Sequence, residues 1–384
     1  MKKKLIRITT VPSALAVLLK GQLKFMSNHY EVVGISSSGN NGHLDRIACE
    51  EQIRVIPIEM TRKITPLNDL HAAWKLYRAF RKERPFIVHT HTPKAGTLGM
   101  VAAFMAGVPN RLHTIAGLPL LEATGKKRWL LNQVEKITYY CATKVFPNSY
   151  GLKEIVIENK FAKSSKLQVI GNGSSNGIDT SYFDPVLFDQ AQKDDLRNTL
   201  NISKDDFVFI FVGRMVKDKG VNELIKAFEK LCKKNNKIKL LLVGEYEKNL
   251  DPLKAETIIS IELNEQIIAV GWKKDVRPFF AISDILVFPS YREGFPNVVM
   301  QAGAMGLKCI ATNINGCNEI IIDGKNGALI PPKNEEILRT QMQLAIDESK
   351  EPINMKIIRQ LIIDRYDHMF IWKCLLTEYQ KLEP

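Results

Sequence analysis

The feature that most constrains the fold is a repeated alternation of short β-rich runs with longer amphipathic segments. In the first half of the chain, the β-rich runs are 5–9, 31–37, 53–58, 86–91, 110–117, 143–149 and 166–173. After a polar stretch the pattern restarts near residue 205, with runs at 207–213, 238–245, 267–272, 284–290 and 308–312. Strands that alternate with helices in this way form parallel sheets covered on both faces. The sequence therefore predicts two doubly wound α/β domains.

The chain length fits two such domains, because 384 residues exceed the roughly 100 to 200 residues of one domain. We place the first domain at 1–190 and the second at 191–362. Residues 363–384 are predicted to form a C-terminal helix that packs back toward the first domain. Ligands of open α/β sheets bind beyond the carboxyl ends of the strands. We therefore expect the active site in a cleft between the two domains.

The excess positive charge is confined to the first half of the chain. Residues 1–180 contain 26 Lys and Arg against 12 Asp and Glu, whereas the remainder contains 28 against 29. A one-sided positive field suits nucleic acid, an anionic membrane surface or a polyphosphate substrate. Because no basic-aromatic platform or known nucleic-acid module accompanies the charge, we do not expect nucleic acid as a partner.

The sequence contains no pattern typical of a membrane span or a secretory signal. No run approaches the roughly 18 apolar residues of a spanning helix, and the short apolar segment near the N-terminus is interrupted by Arg7. The six cysteines are scattered, without the C-x-x-C pair of a zinc or redox centre. These patterns favour a reducing cytosol.

The segment GRMVKDKG, 213–220, follows the first strand of the second domain and leads into a helix. Arg214 and Lys219 are cations in the turn between strand and helix, where they can clamp a diphosphate. Gly213 allows the backbone to turn tightly. By itself, this segment does not distinguish a phosphate site from a solvated turn.

The segment EGFPNVVMQ, 293–301, also follows a strand and leads into a helix. Pro296 suits the first turn, and the N–H groups from Asn297 onward lack partners within the helix. Such a helix N-terminus attracts anions. Two such sites on neighbouring strands can neutralise the two phosphates of a nucleotide, with Gln301 near the ribose.

Together these segments, with 271–306 and NGCNEIIIDGKNGALIPP at 315–332, resemble the donor-binding domain of family 4 glycosyltransferases. These are retaining enzymes of the GT-B fold, in which two Rossmann-like domains face each other across a cleft. Residues 89–96, 111–125 and 169–183 are similar to bacterial members that extend polyprenyl-diphosphate-linked oligosaccharides. No single motif is specific to this family, but the combination of motifs is. The resemblance covers nearly the whole chain.

The resemblance implies roles for individual residues on the donor side. Arg214 and Lys219 would neutralise the diphosphate, and Glu293, the first acid of an E-x7-E motif, would reach hydroxyls of the transferred sugar. His113 matches a histidine that lies near the donor sugar and the reacting centre in the family, and it completes the expected catalytic set. Gly271 and Trp272 are expected near the nucleobase, and Asn297 and Val298 at the phosphates. Gly213 and Gln301 complete the expected donor-binding residues.

Gln301 departs from the family, which usually has a second glutamate there to hold the ribose hydroxyls. An amide still accepts and donates hydrogen bonds, but it loses a charge-assisted bond, which exceeds a neutral one by about 1 kcal/mol. We therefore expect altered nucleotide affinity and retained catalysis.

The acceptor is expected to bind the first domain. Thr10 and Ser13 follow the first strand, where many relatives carry a glycine pair that this chain lacks. We expect His89 and His91 to point to opposite faces of their strand, with His91 toward the cleft. Lys94, in the same segment HTPKAG, completes the candidate acceptor-binding residues.

The resemblance implies a retaining transfer of a sugar from a nucleotide donor, most readily a UDP-sugar, to a lipid-linked glycan of a surface polysaccharide such as capsule or lipopolysaccharide. The chain has no D-x-D triplet to hold a divalent metal, so we expect neither a metal nor a cofactor. The excess positive charge predicts a peripheral position on the inner face of the cytoplasmic membrane. Two alternatives are a non-catalytic nucleotide-sugar-binding partner subunit and a nucleotide-sugar epimerase of the same architecture.

Overall fold

The computed structural model describes residues 2–61, 64–118, 120, 123–247, 251–349 and 354–383. The strands are β1 Lys4–Ile8, β2 Glu31–Ser36, β3 Arg54–Pro57, β4 Ile87–His91, β5 Asn110–Ile115, β6 Lys144–Pro147, β7 Phe207–Val212, β8 Ile238–Val243, β9 Ile267–Gly271, β10 Ile285–Phe288, β11 Lys308–Thr312 and β12 Gly327–Ile330. The α-helices are α1 Pro12–Leu18, α2 Gln22–Ser27, α3 His43–Glu51, α4 Pro66–Glu83, α5 Pro93–Met105, α6 Gly125–Cys141, α7 Tyr150–Glu158, α8 Gln190–Thr199, α9 Val221–Cys232, α10 Ala255–Leu263, α11 Arg277–Ala281, α12 Asn297–Ala304, α13 Cys317–Ile320, α14 Glu335–Glu348, α15 Met355–Tyr366 and α16 His368–Gln380.

The chain divides into two compact units. Unit 1 comprises Met1–Gly177 and His368–Pro384, and unit 2 comprises Ile178–Asp367. Residues 178–190 belong to unit 2 because they pack on α15. Arg359 of that helix donates hydrogen bonds to the carbonyl oxygens of Thr180 and Phe183 and pairs with Asp184 at 2.6 Å. The unit boundaries therefore lie at 177/178 and 367/368, whereas the sequence placed them at 190/191 and 362/363.

Within the described residues, each unit contains one parallel sheet of six strands. The strand order is β3-β2-β1-β4-β5-β6 in unit 1 and β12-β11-β10-β7-β8-β9 in unit 2. Each chain path starts in the middle of the sheet, runs to one edge, and returns to the middle to build the other half. This doubly wound order creates a switch point between β1 and β4 in unit 1, and between β7 and β10 in unit 2. The predicted fold class is confirmed.

The sheets are buried on both faces, which explains why several strands are continuous apolar runs. In unit 1, Leu5 and Ile6 of β1 contribute to separate hydrophobic clusters on opposite faces of the sheet. The cluster that contains Leu5 is completed by α16, through Ile371, Leu375 and Tyr379. Unit 2 has one extended cluster around β7, β8 and β10. None of the helices in the described ranges is both long and apolar enough to span a bilayer.

Two strand assignments from the sequence are wrong. Residues 166–173 do not form a strand, because Leu167 makes only an isolated bridge to Val145 before the chain turns at Gly171. Conversely, β12 was missed. It is a four-residue edge strand whose sequence, GALI, gives little signal by itself. It pairs with β11 so closely that a Cβ on Gly327 would lie 2.1 Å from the carbonyl oxygen of Cys309.

Candidate active site

The candidate site in unit 2 lies at the switch point of its sheet. The turn after β7 and the turn after β10 leave the carboxyl ends of two neighbouring parallel strands. These are the segments 213–220 and 293–296 that the sequence singled out. The topology therefore brings the two predicted phosphate-binding segments to one edge of the sheet.

Lys219 and Glu293 meet at this edge. The Lys219 ammonium donates a hydrogen bond to Oε1 of Glu293, and the side chains are 17% and 15% exposed. The ammonium also lies 5.6 Å from the centroid of the Phe288 ring. Because both groups are largely shielded from water but still accessible, their charges are less screened than those of a surface pair. This arrangement suits a ligand that carries both an anionic group and hydroxyls.

Backbone contacts hold the two turns together. Gly220 has φ +70°, and a Cβ at this position would lie 2.1 Å from the carbonyl oxygen of Pro289. The backbone N–H of Tyr291 donates to the carbonyl oxygen of Asp218 at 2.8 Å. The Asp218 carboxylate in turn pairs with Arg292 at 2.8 Å. Glycine is therefore required at 220, because the backbones of the two turns are in contact there.

Arg214 lies on the exposed side of the same turn. Its Nη1 pairs with Oε2 of Glu247 at 2.7 Å, and more than half of the Arg214 side chain is accessible to solvent. Glu247 follows β8, so the end of a third strand contributes a charge to this edge. A diphosphate that binds Arg214 must compete with Glu247.

The start of α12 provides backbone donors beside the ion pair. The helix begins at Asn297, which is exposed, and Val298 is partly exposed. Among the described residues, no side chain caps this helix N-terminus. Its first N–H groups are therefore available to an anion. Gln301 lies one turn further along the helix and is partly exposed.

Three glycines bring the ends of β7, β8 and β9 together. The N–H of Gly213 donates to Val243 at 3.0 Å, and the N–H of Gly244 donates to Gly271 at 3.0 Å. A Cβ on Gly244 would lie 1.8 Å from the carbonyl oxygen of Gly213. Trp272, which follows Gly271, is 63% exposed. The predicted nucleobase-flanking residues are thus at the same edge of the sheet as Lys219 and Glu293.

The predicted acceptor residues of unit 1 are in different environments. Thr10 is buried, and its hydroxyl hydrogen-bonds that of Thr92 at 2.8 Å across the switch point. Ser13 is exposed in α1. Lys94 pairs with Asp69 of α4 at 2.7 Å, and both side chains are mostly buried. Ser13 is thus an exposed hydroxyl, whereas Lys94 is already neutralised by a carboxylate.

The comparisons with known proteins cover both units. Residues 27–173 match the family model described as glycosyl transferase 4-like domain, and residues 192–359 match that of glycosyl transferases group 1. The chain is 32% identical over 378 residues to the capsular polysaccharide biosynthesis glycosyltransferase CapM of Staphylococcus aureus, covering 98% of this chain and 97% of that protein. It is 30% identical over 314 residues to the UDP-Gal:alpha-D-GlcNAc-diphosphoundecaprenol alpha-1,3-galactosyltransferase of Escherichia coli, covering 80% and 78%. The chain belongs to family 4 of the glycosyltransferases.

Solved structures agree with this assignment at the level of the fold. A glycosyltransferase from Rickettsia africae ESF-5 matches with a TM-score of 0.82 at 21% identity, covering 99% of this chain and 98% of that one. Anabaena Alr3699/HepE in complex with UDP matches with a TM-score of 0.81 at 18% identity, covering 99% and 100%. The GT-B architecture of this glycosyltransferase is therefore shared with distant relatives.

The prediction that His89 and His91 point to opposite faces of their strand is wrong. His89 and His91 point to the same face of β4, with ring centroids 4.4 Å apart, because residues two apart on a strand share a face. His91 is buried, and its Nε2 accepts hydrogen bonds from Nε and Nη2 of Arg7, at 3.1 and 2.9 Å. Burial and the Arg7 charge hold the pKa of His91 well below its usual range. His91 is therefore part of the interior of unit 1.

His113 is also interior to unit 1. It is 4% exposed, and its Nδ1 lies 2.8 Å from the hydroxyl oxygen of Thr90. A Cβ on Gly96 would lie 2.4 Å from Cε1 of the imidazole, so α5 lies directly over the ring. Burial lowers the pKa of His113 to about 4. A neutral imidazole at this depth supports the sheet, and its location argues against direct contact with a donor sugar.

A buried network of polar side chains near the switch point of unit 1 was not predicted from the sequence. Arg7 is fully buried, and its Nη2 donates to Oε1 of Gln22 at 2.5 Å. Gln22 in turn donates to Asn176 at 3.0 Å, and Trp372 of α16 donates to the same Asn176 side chain at 2.7 Å. This network links β1, α2, the segment before residue 177 and the C-terminal helix. Sequence reasoning missed it because its members are far apart along the chain.

Proposed function

We propose that this glycosyltransferase transfers a sugar, with retention of anomeric configuration, from a UDP-sugar to a polyprenyl-diphosphate-linked saccharide. The observation that carries the proposal is the Lys219–Glu293 pair at the switch point of unit 2. The Escherichia coli relative is named for a UDP-Gal donor and a diphosphoundecaprenol-linked acceptor. The Staphylococcus aureus relative is named for capsular polysaccharide biosynthesis, which we adopt as the process.

In this proposal, the diphosphate of the donor lies between the two turns. Lys219, Arg214 and the first amides of α12 neutralise its charge, which grows as the bond from the anomeric carbon to the diphosphate oxygen breaks. Groups fixed in advance around a developing charge are worth about 10²–10³-fold in rate when removed singly. The oxygen of the acceptor hydroxyl forms the new bond to the anomeric carbon, its proton passes to the departing phosphate oxygen, and the nucleoside diphosphate leaves.

The remaining donor contacts follow from the same placement. Glu293 accepts hydrogen bonds from hydroxyls of the transferred sugar when Lys219 turns toward the phosphates. Trp272 and Gly271 flank the base, with Gly213 allowing close approach of the backbone. Asn297 and Val298 donate their backbone N–H groups to the phosphates, and Gln301 hydrogen-bonds the ribose.

A nucleotide screen coupled to a transfer assay tests the donor and the chemistry. We expect UDP to raise the unfolding temperature of the full chain more than GDP, because a ligand that binds only the folded state stabilises it by mass action. One UDP-sugar should then be consumed in the presence of an undecaprenyl-diphosphate-linked saccharide. The anomeric coupling constant of the product, measured by NMR, reports retention. Stabilisation by GDP alone, or a product of inverted configuration, would contradict the proposal.

The acceptor lipid implies contact with a membrane, and we propose that an exposed face of α6 provides it. This face, the α6 surface, is a stripe at helical spacing that comprises Lys126, Trp129, Leu130, Lys136, Ile137 and Tyr140. Trp129 is 65% and Tyr140 72% exposed. Apolar and aromatic side chains beside lysines suit the interface of an anionic bilayer. The inner face of the cytoplasmic membrane is the corresponding location.

Vesicle binding tests the α6 surface. The wild-type chain should cosediment with phosphatidylglycerol-containing vesicles at low salt and lose most binding at high salt. Trp129→Ser combined with Leu130→Ser should weaken binding at least fivefold. The control is Leu263→Ser, which removes an exposed leucine from α10 of unit 2. Equal losses in the two variants, or salt-independent binding, would remove the α6 surface from the proposal.

A further inference from the structure

The turn that carries Glu293 is held by a residue of the next strand connection. Asn315 follows β11, and its Nδ2 donates hydrogen bonds to the carbonyl oxygen of Glu293 at 3.1 Å and to that of Gly294 at 2.6 Å. An amide nitrogen has two hydrogens, so these two bonds use its full donor capacity. One side chain thus fixes the carbonyl groups of two consecutive residues, the first of which is Glu293.

A backbone contact reinforces this hold. Gly316 has φ +79°, and a Cβ there would lie 2.6 Å from the carbonyl oxygen of Gly294 and 2.9 Å from Cα of Phe295. β10 and β11 are paired along their lengths, so their following segments leave the sheet side by side. The connection after β11 therefore contacts the 293–296 turn through both the Asn315 amide and the Gly316 backbone.

The orientation of the turn determines where the Glu293 carboxylate lies. Glu293 precedes α12, whose residues Val299 and Met300 are buried and hold the helix in place, so rotation of the peptide groups at 293 and 294 would redirect the carboxylate. A displacement of about 1 Å at a reacting group costs on the order of 10²-fold in rate. The Asn315 bonds oppose this rotation.

We propose that Asn315 is a positioning residue for sugar transfer, which fixes the 293–294 peptide groups so that the Glu293 carboxylate faces Lys219 and the transferred sugar. The proposal rests on the proposed function, because it assigns Asn315 an effect through Glu293. It also adds the connection after β11 to the segments that form the site.

The chemistry of the amide suggests the decisive variant. Asn315→Asp keeps the shape of the side chain but replaces the two donated hydrogens with a carboxylate oxygen that faces two carbonyl oxygens. Asn318→Asp is the matched control, since the Asn318 amide donates to Asn313 at 3.1 Å on the exposed side of the same segment. Both variants make the same change of charge, and only Asn315 contacts the turn.

The test measures transfer and UDP binding separately in the full chain. For Asn315→Asp we expect kcat for sugar transfer to fall at least 30-fold, and the Kd of UDP, which lacks the transferred sugar that Glu293 reaches, to rise less than threefold. Asn315→Ala removes the donors without adding charge. It should lower kcat about tenfold and likewise raise the Kd of UDP less than threefold. Asn318→Asp should stay within twofold of wild type in both quantities.

Three outcomes would overturn the inference: unchanged kcat in both Asn315 variants, a loss of kcat no larger than the loss of UDP affinity, or an equal effect of Asn318→Asp. If Asn315→Asp does not fold, Asn315→Ala decides. A parallel Glu293→Gln variant separates this inference from the proposed function. If Glu293→Gln is inactive and the Asn315 variants are normal, only the positioning role fails, whereas a fully active Glu293→Gln would remove the donor site itself.

Discussion

Unit 1 and unit 2 share one strand order, but the polar side chains at their switch points have opposite environments. In unit 2, Arg214, Lys219 and Glu293 remain accessible and are paired with one another or with Glu247. In unit 1, Arg7 and His91 are buried in the interior of the unit. A doubly wound sheet can thus present its switch-point charges to a ligand or use polar groups to support its interior. We expect substitutions in unit 2 to affect activity and those in unit 1 to affect stability.

The overall charge follows the same division. Unit 1 contains 28 Lys and Arg against 13 Asp and Glu, whereas unit 2 contains 26 against 28. The unit proposed to bind the diphosphate is therefore the one without excess positive charge. Donor binding in the proposed function depends on a few placed cations, and membrane attraction depends on the broad field of unit 1.

The largest expected effect is that of Lys219→Met. Removal of the ammonium leaves Glu293 without its partner and the diphosphate with one cation fewer, so kcat/KM for the donor should fall about 10²–10³-fold. The unfolding temperature should fall only modestly, because water can still reach the unpaired Glu293 carboxylate, which is 15% exposed. Lys217→Met is the control, since Lys217 is exposed in the same turn. A similar loss in both variants would mean that the turn contributes only a general positive charge.

The second prediction concerns acid stability, which should originate in unit 1. All seven histidines of the sequence lie in that unit. Burial lowers the pKa of His113 to about 4 and holds that of His89 well below 6.5. Below pH 6.5 the unfolded chain binds protons that the folded chain excludes, so the free energy of unfolding falls as pH falls toward 4. For His113 alone, the lowering of the pKa from 6.5 to about 4 corresponds to about 3 kcal/mol.

Urea unfolding between pH 7.5 and pH 4.5 checks this prediction, with His113→Asn as the comparison. The variant should be less stable at pH 7.5 and should lose less stability on acidification than wild type. The free energy of unfolding is plotted against pH for both proteins, and the difference between the two slopes gives the contribution of His113 apart from the other titrating groups. Parallel slopes would show that His113 is accessible to protons in the folded state.

A smaller effect is expected from Gln301→Glu on α12. If Gln301 binds the ribose, a carboxylate should strengthen the hydrogen bonds to its hydroxyls by about 1 kcal/mol, which lowers the Kd of UDP about fivefold. Inorganic diphosphate, which lacks a ribose, serves as the control ligand and should bind no more tightly. Calorimetry measures both affinities. Unchanged UDP affinity would remove Gln301 from the site.

The smallest effect is expected from Glu247→Gln. The Arg214–Glu247 pair is half exposed, and such pairs contribute less than about 1 kcal/mol. Because the donor must displace Glu247 from Arg214, the neutral variant should lower the KM of the donor about twofold to threefold. Glu256→Gln removes an exposed acid paired with Lys226 at 3.1 Å and should have no effect. A higher KM in Glu247→Gln would show that Glu247 assists binding.

The difference between the units also explains which features could be predicted from the sequence. The meeting of Lys219 and Glu293 followed from topology, because turns after neighbouring parallel strands share one edge of the sheet. His91 and His113 could not be located in this way, since both faces of the sheet are covered and the sequence does not show how deeply a side chain near the end of a strand is buried. Asn315 and Asp218 were missed because their contacts join separate strand connections. The edge strand β12 was missed because its identity depends on pairing with β11.

In the proposed function, Glu293 acts on the transferred sugar at a nucleotide site of unit 2. The most direct measurement compares wild type with Glu293→Gln for sugar transfer from the UDP-sugar chosen by the nucleotide screen, with the Kd of UDP measured on the same preparations. We predict less than about 1% of the wild-type transfer rate, with the Kd of UDP within threefold of wild type. Transfer at the wild-type rate by Glu293→Gln would contradict the account.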